Sequence, residues 1–208
     1  MPDKYTKEAE KLLPPKEKVM AGNKIAGGNP TRGRVENDYY ATHQDSTKAL
    51  LEVEEIIYPA LEPACGEGHI SKLLNEELTQ SCDLVYRGYG IGGSTNFLTD
   101  NIIGEFNTVI TNPPFSLFQE FVEKALNVAR KKVIMFGKLQ ALEGQKRATF
   151  LKTTPLKIVY VFKKRQQPLR NGSVIDTLTG KKWASSTMAF AWFVWDKKYT
   201  GEPIIRWL

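Results

Sequence analysis

Apolar positions along the chain change period several times, and the changes mark its elements. Ala49, Leu50, Val53, Ile56 and Ile57 recur at helical spacing, so a helix is predicted over Ser46 to Tyr58, capped by Asp45 or Ser46 and ended by Pro59. Ala60-Leu61-Glu62-Pro63 reads as a short strand running into the glycine turn ACGEG, and Ile70, Leu73 and Leu74 predict a second helix over His69 to Leu78. Strands are expected near Ser81 to Val85 and, more briefly, near Asn96 to Leu98. FNTVIT (Phe106 to Thr111) is a β-branched apolar run, the pattern of a parallel strand buried on both faces. It stops at Asn112-Pro113-Pro114-Phe115. A broad helical stripe from Leu117 to Ala129 and the strand KKVIMFG follow.

Alternating strands and helices of this kind imply βαβ units and an open, mostly parallel sheet with helices on both faces. The last part differs. LKIVYVF (Leu156 to Phe162) and MAFAWFVW (Met188 to Trp195) are strands joined by a polar connection without helical pattern, a hairpin appended to the sheet. Residues 1 to about 35, with Pro14-Pro15 and AGNKIAGGNPTRGR, read as a loosely attached tail or arm before a domain spanning 36–208.

Composition narrows the class. The 208 residues are 41% apolar and 25% charged, average for a globular chain, so whole-chain disorder is excluded. No apolar run is long enough to span a membrane and the first residues lack a signal-peptide core, so a soluble, cytoplasmic protein is expected. Cys65 and Cys82 are expected to be buried, reduced thiols, and no zinc site or other metal is expected.

Charge is concentrated. Between Gly144 and Lys182 stand ten basic residues and the single acid Asp176, in a chain whose total is +6, so the remainder is net acidic. A polyanionic partner fits this segment, and so does a solvated lysine-rich surface. The connection from Lys163 to Ser186 carries most of the argument, with Lys163, Lys164, Arg165 and Arg170 as backbone contacts and Trp183 as a base-stacking aromatic. It is expected to lie in the half of the sheet away from the glycine turn.

Two constellations carry chemistry. In Glu62-Pro63-Ala64-Cys65-Gly66-Glu67-Gly68, two glycines let backbone approach a ligand and Glu62 ends the strand; a purely structural turn reads the same way. In Asn112-Pro113-Pro114-Phe115, the prolines stiffen the loop, so the Asn112 amide oxygen and the Pro113 carbonyl can accept both hydrogens of an exocyclic amine while Phe115 stacks on its ring. A proline-rich loop leaving a strand is the plain alternative, but both constellations fall at carboxyl ends of parallel strands, where open α/β sheets bind ligands. His69 reads as structural rather than as a base.

These motifs resemble the S-adenosylmethionine-dependent amino-methyltransferases, within them the DNA adenine-N6 type, particularly small phage-like enzymes. EPACGEG is similar to the family's methionine-binding motif and NPPF to its catalytic motif; their order, after Tyr40-Ala41-Thr42, is similar to the γ arrangement. The likeness covers about Glu36 to Trp195. It implies a class I methyltransferase, Rossmann-like fold with a seven-stranded, mostly parallel sheet whose last strand is antiparallel. It implies S-adenosylmethionine held by Tyr40, Thr42, Glu62, Ala64, Cys65, Gly66, Gly68, Asp83, Asn96, Phe97 and Asn112, with Asp83 on the ribose hydroxyls. It implies catalysis by Asn112, Pro113, Pro114 and Phe115 on adenine N6 in DNA, without a metal. The family commonly has Thr-Pro at Thr42-His43 and Asp-Phe-Leu at Asn96-Phe97-Leu98. RNA adenine, a protein glutamine amide or a non-catalytic nucleic-acid-binding role remain alternatives.

Overall fold

The computed structural model describes residues 39–166, 168–170, 172–175, 180–181 and 188–208. The tail through residue 38, Lys182 and Trp183 lie outside the described residues, and of Arg170 only the backbone is described.

FNTVIT forms strand β4 (Phe106–Thr111) as its pattern predicts, with Thr108, Val109, Ile110 and Thr111 buried. It pairs in parallel with β2 (Ala60–Glu62) on one side and β5 (Ala129–Lys138) on the other. Helix α2 (Phe118–Val128) supplies the crossover, burying Phe121, Val122 and Ala125 against the sheet. β3 (Thr79–Ser81) flanks β2 in parallel. The hairpin pairs β6 (Leu156–Val161) with β8 (Phe190–Asp196) and joins the sheet through β8, which lies between β5 and β6, antiparallel to both. With β9 (Ile204–Trp207) added, the described residues give a seven-stranded sheet in the order β3-β2-β4-β5-β8-β6-β9, in which β8 is antiparallel to its neighbours. β9, parallel to β6, takes the edge; its exposed, non-alternating residues gave no sequence signal.

Two apolar layers enclose the sheet. One gathers Leu61, Val109, Phe121, Val133, Phe193 and Trp195, the other Leu50, Ile110, Ile134, Phe136, Tyr160 and Trp192. The indole N–H of Trp192 donates to the Ser46 carbonyl at 2.8 Å, so the second layer also fixes helix α1 (Gln44–Leu51).

Four sequence expectations are corrected, each for a local reason. α1 starts earlier, with the His43 side chain accepting from Asp45 N–H, and ends at Leu51 rather than Tyr58. Glu54 is drawn to Lys132 and the Tyr160 hydroxyl, and Ile57 exchanges hydrogen bonds with the Thr108 hydroxyl, so the chain leaves extended. No α-helix forms over His69 to Leu78: Ser71 N–H goes to the Glu62 carboxylate at 2.9 Å instead of a carbonyl one turn back, leaving 3-10 turns at Ser71–Leu73 and Glu76–Leu78. The Ser81 to Val85 strand stops at Ser81, because the Asp83 carboxylate accepts from Val85 N–H and turns the chain. Asn96 to Leu98 is likewise a turn, with the Asn96 side chain accepting from Leu98 N–H and Asp100 from Asn96 N–H.

Candidate active site

The carboxyl ends of β2 and β4 open into a cavity of about 230 Å³. Its wall includes Tyr40, Thr42, Glu62, Ala64, Cys65, Asp83, Asn96, Phe97, Asn112 and Pro114, so the sequence candidates from both motifs converge on one site. Gly66, Gly68, Pro113 and Phe115 are not on that wall.

Glu62 is fully buried and bonded to Ser71 through both the amide and the hydroxyl of that serine. Burial pushes its carboxyl up to about 8 against the pull of those two donors, with the nearby Asp83 charge adding to the rise. The acid is therefore substantially protonated at neutral pH. Burial also raises Cys65 to about 12 and Cys82 to about 11; both are buried free thiols, as expected, and inert ones.

The glycines serve neighbours in the chain. Gly66 has φ +55°, and a Cβ there would lie 2.6 Å from the Tyr39 ring; Gly68 has φ +80°, and its Cβ would lie 2.6 Å from the Tyr89 ring. Two tyrosine rings occupy these close approaches in the structure. Asp83 closes the same turn: its Oδ2 accepts from Gly66 N–H at 2.8 Å, while Oδ1 accepts from Val85 N–H and the Arg87 guanidinium. It faces the cavity with part of its acceptor capacity already engaged.

At the end of β4, Asn112 Nδ2 donates to the Tyr40 carbonyl at 2.6 Å. A carbonyl can face only the NH2 end of an amide, so the Asn112 oxygen points the other way. That oxygen is buried and has no partner. The Thr42 hydroxyl and His69 Nδ1 are also buried without partners, and both residues line the cavity. Buried polar atoms are rarely left unbonded, so this set suits a ligand with several polar groups of its own.

Tyr39 and Arg87 were not singled out in the sequence. The Arg87 guanidinium lies 4.1 Å from the Tyr39 ring centre, and both line the cavity. Spacing of four between Asp83 and Arg87 was the available signal. Burial raises the Tyr39 hydroxyl and lowers His69, so at neutral pH both are uncharged.

Phe115 stacks on Tyr40 with centroids 5.7 Å apart at 26°, touches Phe190, and carries the Lys138 ammonium 5.0 Å from its ring centre. Lys163, Lys164 and Arg165 are exposed, on a connection that departs from expectation: it does not stay in the far half of the sheet. Its strand β7 (Leu169–Arg170) pairs antiparallel with β1 (Tyr40–Ala41), and its Gln166 accepts from the Ser46 hydroxyl at 3.1 Å. Among the described residues no cluster of metal-ligating side chains occurs, and no helix is long and apolar enough to cross a membrane.

Residues 91–194, half of the chain, match the family described as adenine-specific methyltransferase EcoRI. A comparison with curated protein sequences finds no match. In solved structures, the fold is similar to a candidate class I S-adenosylmethionine-dependent methyltransferase from Listeria monocytogenes, with a TM-score of 0.58 and 13% identity over 86% of this chain and 68% of the other. It is also similar to the methyltransferase subunit of a type I restriction-modification system from Streptococcus thermophilus, with a TM-score of 0.53 and 10% identity over 82% of this chain; the chain spans 48% of that subunit.

Proposed function

The chain belongs to the family of the adenine-specific EcoRI methyltransferase, and we propose that it transfers a methyl group from S-adenosylmethionine to N6 of adenine in DNA, with Asn112 orienting the amine. One observation carries this reading: a buried, unpartnered amide oxygen at the end of β4, locked in direction by the Tyr40 carbonyl and set on the wall of the cavity.

The Thr42 hydroxyl, the Glu62 carboxyl, the Asp83 carboxylate and the Asn96 amide would hold the cofactor, and the unpartnered donors and acceptors of the wall fit its amino, carboxylate and hydroxyl groups. When bound, S-adenosylmethionine supplies an activated methyl carbon. The Asn112 oxygen accepts one hydrogen of the adenine amine and the Pro113 carbonyl accepts the other, which draws the nitrogen out of conjugation and turns its lone pair toward the methyl group. The rigid prolines keep both acceptors still, so orientation rather than acid-base chemistry supplies the rate. The amine's surplus proton leaves to solvent. Lys163, Lys164 and Arg165 meet the phosphate backbone beside the extruded base.

The test is incubation with methyl-labelled cofactor and DNA, RNA or peptide. Label recovered as N6-methyladenine in DNA supports the proposal. Label in RNA or peptide moves the substrate, and cofactor binding without any transfer assigns the chain to non-catalytic relatives.

A further inference from the structure

Tyr40 stands where three parts of the protein meet. Its carbonyl takes the Asn112 amide hydrogen, its ring stacks on Phe115, and its backbone lies opposite Arg170 in the β1-β7 ladder, with Ala41 opposite Leu169. β7 belongs to the basic connection, which has a second attachment through Gln166 to Ser46 on α1. The segment charged for a polyanion and the side chain that receives the amine are thus joined through one short ribbon.

The ribbon matters because an asparagine amide has two orientations of nearly equal shape and opposite chemistry. With the Tyr40 carbonyl in place, only the NH2 end can face it, and the oxygen is presented to the substrate. If β1 moves, the amide can turn and offer a donor to a substrate amine that is itself a donor. A ladder of two residues per strand is marginal alone, so its population depends on what holds each side.

We infer that Leu169 and Arg170, through their backbone pairing with β1, are positioning residues for Asn112, and that a polyanion bound at Lys163, Lys164 and Arg165, just ahead of β7, stabilises the ribbon and thereby the accepting orientation of the amide. The inference rests on the assignment of Asn112 as the amine acceptor. A ligand shifts such an equilibrium only by its differential affinity for the two states, and the connection is the segment that both carries the charge and forms β7. Contact with the phosphate backbone then raises turnover and not only affinity.

In an antiparallel ladder, alternate residues exchange both N–H and C=O with their partners. One of the variants Leu169→Pro and Arg170→Pro must therefore remove a ladder N–H. That variant should lower kcat by at least about ten-fold and raise the KM for DNA with it, because a polyanion that stabilises the ribbon binds less tightly where the ribbon cannot form, while the affinity for S-adenosylmethionine stays within about three-fold. It should also shift the Asn112 side-chain amide resonance, identified by its loss in Asn112→Asp, and speed its hydrogen exchange. Leu169→Val, which keeps the backbone bonds, should match the parent. In the parent protein, a duplex of only G·C pairs, which binds without being a substrate, should slow exchange of the same amide. An unmoved resonance in both proline variants, a loss confined to KM, a parallel loss of cofactor affinity, or no response to the G·C duplex overturns the inference. Failure of the parent to label DNA would instead strike the functional assignment, and the amide resonance would still decide the ribbon.

Discussion

Replacing Asn112 by alanine removes two things the structure distinguishes: the donor that satisfies the Tyr40 carbonyl and the buried, unpartnered oxygen. The first is a stability matter, worth about 1 kcal/mol for a net intramolecular hydrogen bond. The second bears on rate. An acceptor that only steadied a neutral amine would contribute about 0.5–1.5 kcal/mol, near ten-fold. An acceptor that gains strength as the nitrogen acquires positive charge in a water-poor site belongs with preorganised electrostatic groups, whose removal costs roughly 10²–10³ in kcat, or about 3–4 kcal/mol. Burial of the oxygen places Asn112 in the second class. Thr42, Glu62, Asp83 and Asn96 remain, so cofactor affinity should change by less than about 0.5 kcal/mol. Single-turnover transfer of labelled methyl to saturating DNA, beside calorimetric titration of S-adenosylmethionine, separates the two quantities. A rate loss below ten-fold, or an equal fall in cofactor affinity, refutes the reasoning and makes Asn112 a cofactor ligand.

Three further outcomes are expected. Glu62 holds its proton up to about 8, against an ordinary 4.5, so across that window the folded protein binds a proton that the unfolded chain has released; stability should fall as pH rises through it, and Glu62→Gln should flatten the slope in melts of the ligand-free protein. Gly68→Ala puts a Cβ into a left-handed conformation and against the Tyr89 ring, so urea unfolding should register a loss of at least about 1–2 kcal/mol, whereas a residue that merely gave room to a ligand would lose affinity at unchanged stability. Alanine at both Lys164 and Arg165 should weaken binding alike across DNA sequences and reduce the log–log salt slope by about 0.9 per lost contact; an unchanged slope would make the connection a solvated surface.

Legibility of the fold in the sequence follows burial. FNTVIT and KKVIMFG sit inside the sheet with both faces covered, so their composition alone specifies strands, and α2 shows one clear stripe because only one face meets the core. Expectation failed where side chains redirect backbone. The Glu62 carboxylate takes the Ser71 amide that a helix would use, and Glu54 leaves α1 to meet Lys132 and Tyr160, partners 78 and 106 residues away in sequence. No local pattern encodes such contacts. The candidate site was legible as residue types at strand ends, and its wall takes residues from both motifs. What the pattern could not carry was the division of labour: Gly66 and Gly68 admit tyrosines, Asp83 closes the turn beside them, and Tyr40 gives Asn112 its direction.

β8 lies between β5 and β6 but follows both in the chain. During synthesis, β5 and β6 stand with open edges until Phe190–Asp196 emerges, and Trp192 and Trp195 complete both apolar layers only then. Closing the sheet requires β6 and β8, separated in sequence by residues 162–189, to meet, which is a non-local step. The length that lets the basic connection reach Tyr40 is thus also the length that delays the last strand.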